Sequence, residues 1–292
     1  MIKVLLNGYY RSGSSILWYI MRESNKSLVH VYEPLSPDVD PYIPGSLHGS
    51  AIGKAIVEEY AKIDREKYIE IKRSLIGLNN YFLPTSLEQV KPMLDFLNEY
   101  ECTVQPNNFH FILRDVAKKY GCMTVHLIRN PLDTWIATLP IDPSIKHLHG
   151  WKDRLIYICA WAGFKVLPKQ TLNVLARSRI NRGYYLLGEF EQIKHLFDAD
   201  VRDYLDMRLY LWTLCNYHAC DQADIVISYE SLVRSPKRVL RFLERETGIR
   251  FNPIPLKRYI TNNPALEKEI KKRIERMGLG EYFKELELRW VL

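Results

Sequence analysis

The stretch "MIKVLLNGYYRSGSSILWYI", residues 1–20, decides how this chain is read. Its opening apolar run, residues 2–6, reads as a buried strand, and "SSILWYIMRES", residues 14–24, carries apolar residues at helical spacing. Between them Gly8 and Gly13 bracket four residues, the glycine spacing of a phosphate-binding loop. Ser14 and Ser15 stand where that pattern has lysine and a hydroxyl residue, and Arg11 lies inside the loop. Backbone N–H groups of Arg11 to Ser15, with the N-terminus of the following helix, make an anion cradle whatever the side chains. Taken alone, the loop is equally a plain glycine turn in which Ser14 or Ser15 caps the helix.

The remaining bulk properties narrow the class. A chain of 292 residues, 47% hydrophobic and 12% aromatic, holds enough apolar mass for one large domain or two small ones. The net charge of +7 favours anionic ligands or acceptors, although a basic balance alone does not separate these from nucleic acid or from no partner at all. The five cysteines, Cys102, Cys122, Cys159, Cys215 and Cys220, are scattered without a C-x-x-C pair. That excludes a zinc ribbon and argues against a disulfide framework, so they read as reduced thiols of a cytoplasmic protein. No run approaches the roughly 20 apolar residues of a membrane span, and the start of the sequence does not read as a secretory leader, so the protein is expected to stay in the compartment where it is made.

Further along, "LVHVY", "CTVQP", "MTVHLI" and "DIVISY" read as strands, alternating with helical patterns at 51–63, 86–100, 107–121, from Pro131 onward, at 208–223 and at 235–248. Asn107 is expected to cap the helix that closes at Gly121. Such alternation argues for an α/β fold of the P-loop-type three-layer kind, a central parallel sheet flanked by helices. Residues 141–200 look helical and irregular without a flexible linker on either side. They read as a helical insertion within one domain covering 1–292.

Ligands of an open parallel sheet gather at the carboxyl ends of its strands, and three chemically loaded turns are expected there. One is Gly8 to Ser15. A second holds Glu33, fixed between a strand and Pro34, where a carboxylate can take a proton from a hydroxyl or serve as a cap or as an ion-pair partner for Arg11. The third holds Arg129, a bidentate donor before a helix N-terminus, suited to a second phosphate or to pairing with Asp133. A sulfuryl group carries less charge than a phosphoryl group, so a cradle with an arginine and without the lysine and its metal suits a phosphosulfate better than a triphosphate.

Together "YRSGSSIL", "VYEPLS" and "HLIRNPLDTWIAT" resemble the motif set of sulfotransferases that use 3′-phosphoadenosine 5′-phosphosulfate (PAPS), nearest the carbohydrate sulfotransferase branch. "DIVISYESLVRSPKRVLRFLERETGI" is similar to that family's final strand and helix. The resemblance implies that Arg11, Ser12, Gly13, Ser14 and Ser15 bind the 5′-phosphosulfate, that Arg129 binds the 3′-phosphate, and that Glu33 is the catalytic base. Two departures stand out. The serine usually found eight residues after the arginine is Ala137 here, so that either Thr138 next to it takes over or the 3′-phosphate is held by fewer groups, and the Arg-Lys-Gly element of the branch acting on phenols and steroids is missing.

The expected activity is therefore transfer of a sulfuryl group from PAPS to an acceptor hydroxyl of a glycan or glycolipid, without a metal and without nucleic acid as partner. A P-loop small-molecule kinase and a non-catalytic nucleotide-binding protein remain as alternatives. For the acceptor, Trp151, Tyr157, Trp161, Tyr184 and Tyr185, and the loop histidines His48, His147 and His149, are candidate contacts that serve equally as core and surface residues.

Overall fold

The computed structural model describes residues 1–36, 51–76, 83–136, 188–202, 204–256 and 264–291. Thr138, most of the expected insertion, and all the aromatic and histidine candidates for the acceptor lie outside these residues. Among the described residues no helix is long and apolar enough to cross a membrane.

Among the described residues five strands form one sheet: β1 (Ile2–Gly8), β2 (Val29–Tyr32), β3 (Cys102–Gln105), β4 (Met123–Ile128) and β5 (Ile225–Ser228). Their order is β2-β3-β1-β4-β5, and every neighbouring pair is parallel. Among the described residues up to Ile136 the α-helices are α1 (Ser14–Ser24), α2 (Ala51–Tyr60), α3 (Arg65–Ile76), α4 (Lys91–Leu97), α5 (Leu113–Tyr120) and α6 (Pro131–Ile136). The link from β1 to β2 through α1 and the link from β3 to β4 through α5 run opposite ways along the sheet. Right-handed crossovers therefore put α1 and α5 on opposite faces. Consecutive residues Val4, Leu5 and Leu6 of β1 are accordingly all buried, as a strand covered on both sides requires.

Two compact units emerge: Met1–Arg129 with His218–Tyr259 and Leu288–Leu292, and Asn130–Tyr217 with Ile260–Glu287. The first contains the whole sheet. In the second, buried Asp206 accepts hydrogen bonds from Arg273 (2.9 Å) and Arg276 (2.6 Å), which ties helix Tyr204–Gln222 to helix Pro264–Arg276.

Several expected boundaries shift. The helix expected from Asn107 starts only at Leu113, and the strand expected to include Tyr229 stops at Ser228. There the Ser228 hydroxyl accepts from the Ser231 N–H and caps a short helix, Tyr229–Arg234. Helices Arg65–Ile76, Pro264–Arg276 and Gly280–Val291 lie in segments for which the sequence pattern carried no reading.

Cys102, Cys122, Cys215 and Cys220 are buried free thiols, and burial pushes Cys102 up to about 12 and Cys122 up to about 11. Burial likewise holds the imidazoles of His30 and His110 below their ordinary value, His110 well below. These rings stay neutral in the fold, whereas in the unfolded chain they take up protons as pH falls through about 6.5. Their contribution to stability is thus present above that pH and is lost below it. Thermal melts should show Tm falling between about pH 7 and pH 5, with protons taken up on unfolding; a flat profile would contradict buried neutral rings.

Candidate active site at the carboxyl edge of the sheet

Strand register brings the loaded turns together. Gly8 pairs with Leu127 across β1 and β4, and Tyr32 pairs with Gln105 across β2 and β3. Residues just past these pairs therefore emerge along one edge, among them the loop, Glu33, Asn107 and Arg129.

The loop itself is tightly folded. Ser12 N–H donates to Tyr9 O (3.0 Å), and the Gly13 carbonyl accepts the first helical bonds, from Ile16 (3.0 Å) and Leu17 (3.2 Å). The first-turn amides, those of Ser14 and Ser15 among them, have no acceptor within the helix, as at any helix start. Gly8 and Gly13 are required for steric reasons. A Cβ on Gly8 would lie 2.5 Å from Ser12 Oγ, and one on Gly13, which has φ +98°, would lie 2.6 Å from Cδ2 of Tyr229. Ser12 is 1% exposed, and its hydroxyl has no hydrogen-bond partner among the described residues. An orphaned hydroxyl in a loop of backbone donors matches a site shaped for a polar ligand.

Arg129 is buried, donates from Nη1 to the backbone oxygen of Arg11 (3.0 Å), and lies with its guanidinium 4.2 Å from the ring centre of Tyr229. Tyr229 thus touches both Gly13 and Arg129 and fixes the plane of the guanidinium by stacking. Arg11 itself is exposed, with φ +64°.

Glu33 stands at the end of β2 with φ +45°, its N–H donating to Gln105 O at 2.6 Å. Its carboxylate accepts from Nδ2 of Asn107. Asn107, with φ +62°, also accepts at Oδ1 from the Ser14 hydroxyl (2.8 Å) and from Gln105 Nε2. Ser15 Oγ lies 2.7 Å from the Tyr32 hydroxyl. Burial first, then the charge of Glu33, pushes that phenol well above its ordinary value, so Tyr32 remains a neutral hydroxyl beside the carboxylate. Arg11, Glu33 and Asn107 are the non-glycine residues with positive φ among the described residues, and all three lie on this rim. Clustered backbone strain of this kind marks places where geometry is held for a purpose.

The structure thus brings Arg11, Ser12, Gly13, Ser14, Ser15, Glu33 and Arg129 to one edge, while Thr138 lies outside the described residues. Asn107, read from the sequence as a helix cap, and Gln105 and Tyr229, read as strand residues, were not singled out there as site residues. Polar residues at the end of β3 and just past it were the available signal for Gln105 and Asn107.

No family model matches the sequence. An uncharacterized protein of Archaeoglobus fulgidus is 34% identical over 305 residues, covering 96% of this chain and 95% of that protein. The chain belongs to the family of that archaeal protein. Two solved structures give weak likenesses: a sulfotransferase from Alicyclobacillus acidocaldarius (TM-score 0.37, 13% identity, 96% of each chain) and the sulfotransferase domain from the curacin biosynthetic pathway (0.37, 13%, 90% of this chain and 81% of that one). Likeness at that level carries no functional argument, so function has to be sought in the residues of the rim.

Gly13→Ala is expected to lose loop geometry both through its positive φ and through the contact with Tyr229. Chemical denaturation should show a loss of about 1–3 kcal/mol. In a Tyr229→Ala background the same substitution should cost less, by the part owed to the contact. Wild-type stability in the Gly13→Ala protein would mean that the loop backbone is not held as described.

Proposed function

We propose that this protein transfers a sulfuryl group from PAPS to an acceptor hydroxyl, with a carbohydrate or glycolipid as the acceptor class. The observation that carries this reading is the meeting on one rim of an anion loop, a buried arginine hydrogen-bonded to that loop, and a carboxylate linked through Asn107 to Ser14. The orphaned Ser12 hydroxyl and the glycines that a Cβ would crowd fit a phosphosulfate held by backbone donors. The carbohydrate assignment is supported by the "RSGSS" and "YEPL" stretches and belongs to the proposal alone.

In this reading the acceptor oxygen attacks sulfur in line with the leaving phosphate oxygen. The new S–O bond forms as the sulfur–phosphate oxygen bond breaks, the acceptor proton passes to Glu33, and 3′-phosphoadenosine 5′-phosphate leaves. Arg11 and the amides of Gly13 to Ser15 stabilise charge gathering on the leaving phosphate, and donors already aimed at that place need little reorganisation. The edge holds both partners in the reacting geometry, which accounts for much of the rate. Arg129, its plane set by Tyr229, supplies the guanidinium for the 3′-phosphate.

Calorimetry on the purified chain should show binding of 3′-phosphoadenosine 5′-phosphate that is tighter than binding of AMP and does not require Mg²⁺. Preference for ATP with Mg²⁺ would favour a kinase instead. Arg129→Ala should weaken the bisphosphate far more than AMP, and equal losses would contradict the 3′-phosphate role. With labelled PAPS and a panel of glycan and glycolipid acceptors, Glu33→Gln should lose roughly 10²–10⁴-fold in turnover while nucleotide affinity stays close to wild type. Full turnover in that variant would remove Glu33 as the base.

A further inference from the structure

Ser12 and Ser14 are both buried in the loop, but their hydroxyls have different surroundings. Ser12 Oγ has no hydrogen-bond partner among the described residues, whereas Ser14 Oγ donates to Asn107 Oδ1 at 2.8 Å and lies 3.1 Å from Gln105 Nε2. The direction of this chain is fixed by chemistry. An ionised carboxylate only accepts, so Asn107 must turn its NH₂ toward Glu33, which leaves its carbonyl oxygen for Ser14 and Gln105. A serine hydroxyl has a single proton, and that of Ser14 is committed to Asn107.

We infer that Asn107 is a positioning residue for Glu33, and that the Ser14 hydroxyl serves this relay rather than the binding of the phosphosulfate, which falls to the Ser12 hydroxyl and the loop amides. The inference rests on the sulfuryl-transfer reading in taking Glu33 as the base. Asparagine suits the position because it tolerates φ +62° better than most residues and can donate and accept at once. Ser14 and Asn107 are 93 residues apart in sequence, and Asn107 and Glu33 are 74 apart, so the relay joins the ends of three strands. Its bond at Oε1 sets the rotation of the carboxyl group, and polarisation of the Asn107 amide by Ser14 strengthens the N–H that faces Glu33.

The test uses the full chain with ¹³C-labelled glutamate, reading the Glu33 carboxyl by NMR across pH, together with calorimetry against 3′-phosphoadenosine 5′-phosphate. Asn107→Leu removes a donor to the charged form and should raise the Glu33 titration midpoint by about one pH unit. Ser14→Ala should move it the same way by less, with nucleotide affinity within about twofold of wild type. Ser12→Ala should leave the midpoint in place and weaken the nucleotide by about tenfold. An unchanged midpoint in Asn107→Leu would overturn the inference, as would a Ser14→Ala protein that loses nucleotide affinity as Ser12→Ala does. Asn107→Ser, still able to donate, separates positioning from a folding defect: its midpoint should lie nearer to wild type than that of the leucine variant. Failure of the sulfuryl-transfer reading would look different, because the wild-type chain would then not bind the bisphosphate nucleotide while the Glu33 shift persisted.

Discussion

The rim depends on a hydrogen bond between two side chains held on strained backbone, the Asn107 amide to the Glu33 carboxylate. Positive φ costs a non-glycine residue roughly 1–3 kcal/mol, less for asparagine, and persists only where surrounding bonds over-determine it. Glu33 is held by its N–H to Gln105 O and by its carboxylate to Asn107; Asn107 is held further by Ser14 and Gln105. Gln105 is the last residue of β3 and Ser14 the first of α1, so rigid elements set the bond at both ends. The third strained residue, Arg11, is held from the other side, where buried Arg129 binds its carbonyl.

That arrangement makes the site a property of the sheet. Parallel pairing in one register leaves the carboxyl ends of β1, β2, β3 and β4 on a single edge, and each contributes one working group. β5 contributes at one remove, because the turn after it places Tyr229 against Gly13 and Arg129. Donors anchored on strand ends and on one helix start have little freedom to lose when an anion arrives, and such preorganisation stabilises developing charge more effectively than mobile side chains do.

How much of this the sequence disclosed follows from how local each signal is. The five strands were legible because each is a short apolar run bounded by turn residues, and the loop was legible because its glycines fall inside a strand-to-helix passage. Glu33 and Arg129 stood out because each directly follows an apolar run. The strand order was not legible, since no local pattern states which runs pair; β4 and β5 are neighbours although most of the chain between them lies outside the described residues. Tyr229 was misplaced by one element because an aromatic residue prolongs an apolar run, while the decisive feature, the Ser228 hydroxyl capping the next helix, depends on a backbone turn that the run does not reveal.

Asn107 is the most instructive difference, because the same residue type serves both readings. An asparagine ahead of an apolar-periodic run is a sound helix cap, and local chemistry alone would start the helix there. Tertiary bonds outcompete it. Asn107 is taken up by Glu33 and Ser14, and two residues on, Phe109 N–H donates to Asn7 Oδ1 (3.2 Å). His110 Nδ1 accepts from Asn7 Nδ2 (3.0 Å), as does His126 Nδ1 (3.2 Å). Both rings therefore carry their proton on Nε2, consistent with the burial that keeps His110 neutral. Segment 107–110 is pinned at one end to the rim and at the other to the strand beneath the loop, so α5 begins only at Leu113, where these obligations end. The late helix start and the held carboxylate are thus two consequences of one set of bonds. A change that freed Asn107 to cap the helix would release Glu33 at the same time.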